Sequence, residues 1–126
     1  MVNDDATPLL IDIAKRFMLL VREISPDWSK AYLRFSTQDS VSEAKASYMH
    51  GSGVDIVDAT KHKDFFHPIL VKGKELLLAV GKTEGVFLLM VDSKFEYEIQ
   101  FEYQDMNRWK ISKLGGGTGI PVGIDA

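Results

Sequence analysis

The sequence predicts an α+β fold: a two-layer sandwich in which an antiparallel sheet of five to six strands carries two helices on one face. Three observations lead to this prediction. Two segments of the 126-residue chain have the apolar spacing of amphipathic helices. The segments that follow each of them alternate between apolar and polar residues, as half-buried strands do. Short turns join these segments, which favours antiparallel hairpins, so the predicted order is α-βββ-α-βββ in a single domain.

The first helix is predicted to begin at Thr7 and Pro8, because threonine can cap free N–H groups and proline is tolerated in the first turn. Its apolar residues recur at helical spacing: Leu10, Ile13, Ala14, Phe17, Val21 and Ile24. The helix is predicted to end at Ser25, since a residue that precedes a proline avoids the helical region.

Three strands are predicted between the helices. Lys30–Gln38 and Val41–Met49 both alternate, and the polar residues between them indicate a tight turn. Gly51–Gly53 interrupts the chain, and Val54–Val57 follows as a short third strand.

The second helical region is predicted over Asp58–Gly81. Pro68 lies inside it, so the regular helix is expected to begin at that proline, after an irregular turn. Its predicted buried stripe consists of Ile69, Leu70, Gly73, Leu76, Leu77 and Val80. Gly81 is suited to end the helix, because glycine readily adopts the left-handed conformation that follows many helices.

Three further strands complete the predicted sheet. Val86–Val91 is uniformly apolar, which is typical of a central strand. Lys94–Asp105 alternates throughout, and Arg108–Leu114 is predicted as the last strand. Residues 7–114 therefore form the predicted ordered core, and the glycine-rich residues 115–126 are predicted to be an irregular tail.

The strand Lys94–Asp105 separates two kinds of side chain onto opposite faces. One face is apolar and mostly aromatic: Phe95, Tyr97, Ile99, Phe101 and Tyr103. Buried aromatics are the commoner outcome, so the core is expected to take most of these rings together with both tryptophans. The residues assigned to it are Trp28, Phe95, Tyr97, Phe101 and Trp109.

The other face carries three glutamates, and with Asp105 at the strand's end they form an acidic row: Glu96, Glu98, Glu102 and Asp105. Four acids without a base repel one another weakly, so the row is better suited to attract a basic partner than to stabilise the fold. The simpler interpretation is solvated sheet surface, because a sheet with one face in water needs polar residues at alternate positions. Asp39 and Glu43 are weaker candidates for the same surface.

Composition narrows the functional classes. The formal net charge of −3 and the pI near 5.6 argue against a general nucleic-acid binder, which needs a basic surface. The absence of cysteine excludes disulfides, thiolate metal sites and cysteine nucleophiles, and it fits a reducing cytoplasm. No apolar run approaches the roughly 18 residues of a membrane span. The start of the chain is acidic where a signal peptide needs positive charge, so a cytoplasmic protein without a membrane partner is expected.

No catalytic or cofactor site is predicted. Gly115–Gly119 is followed by neither a lysine nor a predicted helix, as a phosphate-binding loop requires. His62 and His67 are five positions apart, which does not place both on one helix face. No serine lies in a Gly-x-Ser-x-Gly elbow. We therefore expect a protein that is not an enzyme and holds no metal or cofactor.

Two segments resemble a known family. Ser25-Pro26-Asp27-Trp28-Ser29-Lys30-Ala31-Tyr32-Leu33 is similar to the helix exit and first strand of YezG-like immunity proteins, which read Pro-Glu-x-Trp before an apolar strand. Val86–Asp105 resembles that family's late hairpin, in which a Lys-Phe segment runs into a Phe-x-Tyr-x-Asp ending. The order of elements also agrees, and the resemblance covers residues 7–110.

The resemblance implies a small cytoplasmic immunity protein, encoded beside a polymorphic or contact-dependent bacterial toxin, that neutralises the toxin domain by binding it. Such toxins are often nucleases with basic substrate clefts, which the acidic row would complement. The resemblance therefore implies a basic toxin domain as the partner, and it leaves the oligomeric state open.

Two other classes stay open. Type III-like secretion chaperones are also small and acidic, and they usually finish in a further helix. Cystatin-like and nuclear-transport-factor-like proteins are small-molecule binders with a curved sheet, and the segment Asn107–Ile111 resembles their ending. Such binders would hold a polar group deep in a pocket.

Overall fold

The computed structural model describes residues 6–124 and confirms the predicted fold class. It contains two helices and five strands: α1 (Ala6–Ile24), β1 (Trp28–Gln38), β2 (Val41–His50), β3 (Gly53–Ile56), α2 (Lys63–Ala79), β4 (Gly85–Asp92) and β5 (Tyr97–Glu102). Two single turns of 3-10 helix lie at Ala59–Lys61 and Leu114–Gly116. The strands form one sheet in the order β3-β2-β1-β4-β5, and every neighbouring pair is antiparallel.

Both helices pack on one face of this sheet. The core between the layers is fully apolar at its centre, where Phe17 of α1 meets Leu33 of β1 and Leu89 of β4, all of which are inaccessible to solvent. α2 crosses the sheet at Gly73, where a Cβ atom would lie 2.6 Å from the ring of Phe35. Only glycine therefore allows this close approach of helix and sheet.

The opposite face of the sheet is covered by the C-terminal segment, defined here as residues 105–124. Its apolar side chains pack against Tyr32, Val86 and Leu88 in a second buried cluster. The covering residues are Met106, Trp109, Ile111, Ile120 and Ile124. β4 is thus buried on both faces, which is why its sequence is apolar without alternation.

The helix starts differ from their predictions. Thr7 lies inside α1 and is not its cap, because Ala6 is already helical. α2 begins at Lys63, five residues before Pro68, so the prediction that the helix starts at the proline is wrong. The buried rings of Phe65 and Phe66 fix the first turn of α2 against the core, and the helix continues through the proline.

The predicted last strand over Arg108–Leu114 does not exist, so two strands, not three, follow α2. The chain lies across the face of the sheet there, and Trp109 adopts a left-handed φ of 63° that a strand does not allow. Carbonyl groups of this stretch bind the guanidinium of Arg34 instead of a neighbouring strand. Residues 115–124 are irregular, as their glycine content predicts, yet Ile120 and Ile124 pack on the sheet.

β5 is shorter than the alternating segment that predicted it. Phe95 lies in the turn that precedes the strand, with a left-handed φ of 64° and 58% of its surface exposed. Tyr97 is 43% exposed, so the assignment of these two rings to the core is wrong. Trp28 and Trp109 are buried as predicted, and Phe101 is partly buried against the core. The physical reason is position: β5 is an edge strand, and the helices do not cover its first residues.

Candidate binding surface

β5 presents an open edge. The carbonyl of Glu96 accepts the N–H of Asp92 on β4, and the register pairs Met90 with Glu98. Backbone groups alternate sides along an antiparallel strand, so the N–H and C=O groups of Tyr97 and Ile99 point away from β4. Among residues 6–124, no strand lies on that side of β5. The first half of β5 can therefore contact a partner through its main chain.

Glu96, Glu98 and Asp105 of the acidic row are exposed, and of these Glu96 and Glu98 lie at the start of β5. These two glutamates line a shallow depression of about 200 Å³ together with Lys30 and Asp92. Asp92 turns its carboxylate toward the hairpin, where Oδ1 accepts the N–H groups of Lys94 at 2.9 Å and of Glu96 at 3.1 Å. Within the described part of the chain, neither glutamate forms an ion pair.

Glu102 has a structural role instead. Its Oε2 accepts the N–H groups of Gln104 at 3.1 Å and Asp105 at 3.2 Å, and its Oε1 is 2.7 Å from Nη1 of Arg108. The two backbone donors and the guanidinium lower the pKa of Glu102 to about 2. Only 19% of its side chain is exposed, so this carboxylate fixes the turn that begins the C-terminal segment.

Asp105 and Glu43 lie near the buried guanidinium of Arg34. Asp105 accepts the N–H of Asn107 at 2.9 Å and so shapes the same turn. Arg34 is only 6% exposed, and burial lowers its pKa while the charges of Glu43 and Asp105 raise it. These two carboxylates therefore compensate a guanidinium of the protein itself.

Asp39 lies apart from the other candidates. It occupies the tight turn between β1 and β2 with a left-handed φ of 52°, and its N–H donates to Oε2 of Glu84 at 2.8 Å. The register of β1 and β4 places this turn at the end of the sheet opposite Lys30 and Asp92. The structure thus divides the six predicted acids into the pair Glu96 and Glu98 at the start of β5, three carboxylates near Arg34 and Arg108, and an isolated turn residue.

The exposed pair has aromatic neighbours that sequence reasoning placed in the core. Phe95 and Tyr97 flank the same strand edge as Glu96 and Glu98, and together these four residues are called the acidic–aromatic corner. A signal for their exposure was present in the sequence, because the turn residues Asp92 and Ser93 stand two and three positions before Phe95.

No group of three histidine or carboxylate side chains within residues 6–124 is placed to hold a metal ion. His50 Nε2 lies 2.7 Å from Oδ2 of Asp55. These are two side chains, fewer than the three of such a group. Neither described helix is both long enough and apolar enough to cross a membrane.

Comparison with known proteins adds no assignment. No protein-family model matches the chain, and no curated protein matches it.

Proposed function

We propose that this protein is a cytoplasmic immunity protein that binds and neutralises a basic bacterial toxin domain of the nuclease class. It acts by binding alone and catalyses no reaction. The observation that carries the proposal is the acidic–aromatic corner. It combines two exposed carboxylates, two exposed aromatic rings and an unpaired strand edge within four consecutive residues, Phe95–Glu98.

Each part of the corner suits a protein partner. Glu96 and Glu98 would steer a basic surface during encounter, since rim charges act mainly on association rates. Phe95 and Tyr97 offer large rings that can enter pockets of the partner. Large side chains seated in pockets are typical of the hot spots of an interface. The open edge of β5 supplies main-chain donors and acceptors. The resemblance of Ser25–Leu33 and Val86–Asp105 to YezG-like immunity proteins supports the choice of a toxin as partner.

The rival classes have less support. A secretion chaperone of the type III kind usually ends in a helix, whereas residues 105–124 contain only the three-residue turn Leu114–Gly116. A cystatin-like binder needs a deep pocket, whereas the depressions on the described surface lie along strand edges and between the helices.

An immunity function predicts that a toxic domain is encoded next to this gene, and the test uses that domain purified as an inactive variant. Binding is measured by calorimetry and association by stopped flow at low and at physiological salt. The double variant Glu96→Lys/Glu98→Lys is expected to slow association about tenfold at low salt, and less at high salt because charges are then screened.

The matched control is Glu23→Lys/Glu75→Lys, which changes the same charge at exposed helix positions and is expected to associate within about twofold of the wild type. Equal rates for both double variants would remove the corner as the site. A toxin that neither binds the protein nor loses toxicity on co-expression would refute the immunity proposal itself.

A further inference from the structure

Besides the terminal strands β3 and β5, part of β2 also presents an open edge. β3 pairs only with the second half of β2, from Ser47 to His50, and the N–H of Val57 then donates to the carbonyl of Ala46 at 2.9 Å. Ala46 therefore directs its backbone groups away from β1. By alternation Ala44 does the same, and so does Ser42.

On the side that faces away from β1, Ser42 and Ala44 have no strand opposite them. Within the described residues, the backbone hydrogen bonds outside regular elements include none to Ser42 or Ala44. Unpaired N–H and C=O groups on a strand form a template for another strand. The first half of β2 is thus an edge at which the ladder can be extended.

A groove of about 660 Å³ runs beside this edge. One wall belongs to α2, where Phe66 and Leu70 provide apolar surface. The other wall belongs to the C-terminal segment, where Ile111 and Ser112 line it. A strand added to Ala44 would direct alternate side chains to these two walls, because successive side chains on a strand point to opposite faces.

The groove is basic. Lys45, Lys63 and Lys110 line it, each is exposed, and none forms an ion pair within residues 6–124. His67 lines the α2 wall, and Arg34 lies deeper with its guanidinium bonded to backbone carbonyls. The acid among the described lining residues is Glu43, so positive charge prevails.

We infer that the β2 edge is a binding site for an acidic peptide segment in extended conformation, which adds as a strand beside Ser42–Ala44. Main-chain hydrogen bonds hold the peptide in register. Its carboxylates meet Lys63 on one wall and Lys110 on the other, while its apolar side chains contact the partly exposed Leu70. The site lies across the sheet from the acidic–aromatic corner and has the opposite charge, so it does not depend on the proposed function.

An isolated peptide fits this edge better than a second copy of the chain. The other open edges described in the sheet are β5 and the outer side of β3, and both belong to a sheet layer that has helices on one face and the C-terminal segment on the other. The walls of the groove stand over both faces of β2 and leave room for a single strand without such covering layers.

The test uses a fluorescent nine-residue peptide, acetylated and amidated, in which pairs of consecutive glutamates alternate with valine–threonine pairs, so that both of its faces carry carboxylates. Binding is followed by anisotropy. The variant Lys63→Glu/Lys110→Glu is expected to weaken binding at least about tenfold, which is about 1.4 kcal/mol. Lys63 is the first residue of α2, where glutamate favours the helix dipole, so the variant is expected to fold.

The control Lys15→Glu/Lys94→Glu reverses the same number of exposed charges away from the groove and is expected to bind within about twofold of the wild type. A peptide N-methylated at the positions that face β2 keeps its charge but cannot form the ladder, and it is expected to lose binding. In the bound wild type, the amide protons of Ser42 and Ala44 are expected to become protected from exchange.

Three results would overturn the inference: no binding of the acidic peptide, equal binding of the N-methylated peptide, or bound peptide without protection at Ser42 and Ala44. Protection of these amides that grows with protein concentration in the absence of peptide would assign the edge to a second copy instead.

Discussion

Nε of Arg34 donates to the carbonyl of Arg108 at 2.7 Å, so a charge buried in the middle of the sheet holds the chain that crosses above it. Nη2 of the same guanidinium donates to the carbonyl of Met106 at 2.6 Å. One side chain from β1 therefore holds two carbonyl groups of the turn at residues 106–109, across 74 residues of sequence in the case of Arg108.

Replacing this guanidinium is expected to destabilise the fold. Arg34→Met keeps the length of the side chain but leaves the carbonyls of Met106 and Arg108 without their donors. Lost bonds to a charged group and unsatisfied acceptors suggest a cost of about 2 to 4 kcal/mol in the free energy of unfolding. Urea denaturation measures it, with the exposed Arg22→Met as control. A cost below about 0.5 kcal/mol would contradict the role given to Arg34.

Gly73→Ala is expected to destabilise the protein although alanine favours helices. The added Cβ would meet the Phe35 ring at 2.6 Å, and overpacking of this kind costs about 1 to 3 kcal/mol. The neighbouring exposed substitution Lys74→Ala serves as control. In the background Phe35→Leu, the cost of Gly73→Ala should shrink, and a double-mutant cycle measures this coupling. An additive pair would show that the contact does not limit helix approach.

Glu102 gives the fold a defined dependence on acid. Its folded pKa is about 2 and its ordinary value 4.5, so the unfolded chain binds a proton that the folded chain does not bind between these values. The stabilisation is present above about pH 4.5 and is lost as the pH falls toward about 2.

The variant Glu102→Gln should lack this part of the pH dependence. The difference in unfolding free energy between wild type and variant is expected to shrink from about pH 6 to about pH 3. Other aspartates with lowered pKa values, such as Asp12 and Asp55, act equally in both proteins and cancel in the difference. A difference that is constant over this range would rule out the assigned role.

Two neighbours in the C-terminal segment provide a matched pair. Ile111 is buried on the second face of the sheet, whereas Leu114 is 87% exposed. Ile111→Ala is expected to cost about 2 to 4 kcal/mol, and Leu114→Ala less than about 0.5 kcal/mol. Thermal or urea unfolding of both variants checks this. Similar costs would contradict the anchoring role given to the side chain of Ile111.

Much of the fold followed from periodicity. The ends of β1 and β2 lie within two residues of their predicted positions, because alternation and turn residues are local signals. The start of α2 was missed because Phe65 and Phe66 anchor a turn before Pro68, and tertiary contacts override a local preference.

The candidate site was predicted less completely. The exposed positions of Glu96 and Glu98 agree with the alternation, but Glu102 is engaged by Arg108, a contact across six residues that no pattern reveals. The ring of Phe95 is exposed because it lies in a turn at the edge of the sheet. Local sequence does not reveal which strand will be at the edge. The groove at β2 likewise depends on where β3 stops.

The C-terminal segment covers the second face of the sheet, and this determines how a proteolysed form of the protein would behave. Proteolysis after Asp105 would spare every helix and strand, so circular dichroism would still report a nearly intact fold. It would nevertheless strip Trp109 and Ile111 from Val86 and Leu88 and leave an apolar patch in water. Such a clipped molecule would have native secondary structure and yet be prone to aggregate and to attract chaperones. Loss of the irregular segment would thus leave the α-helices and strands in place while it exposes an apolar face of the sheet.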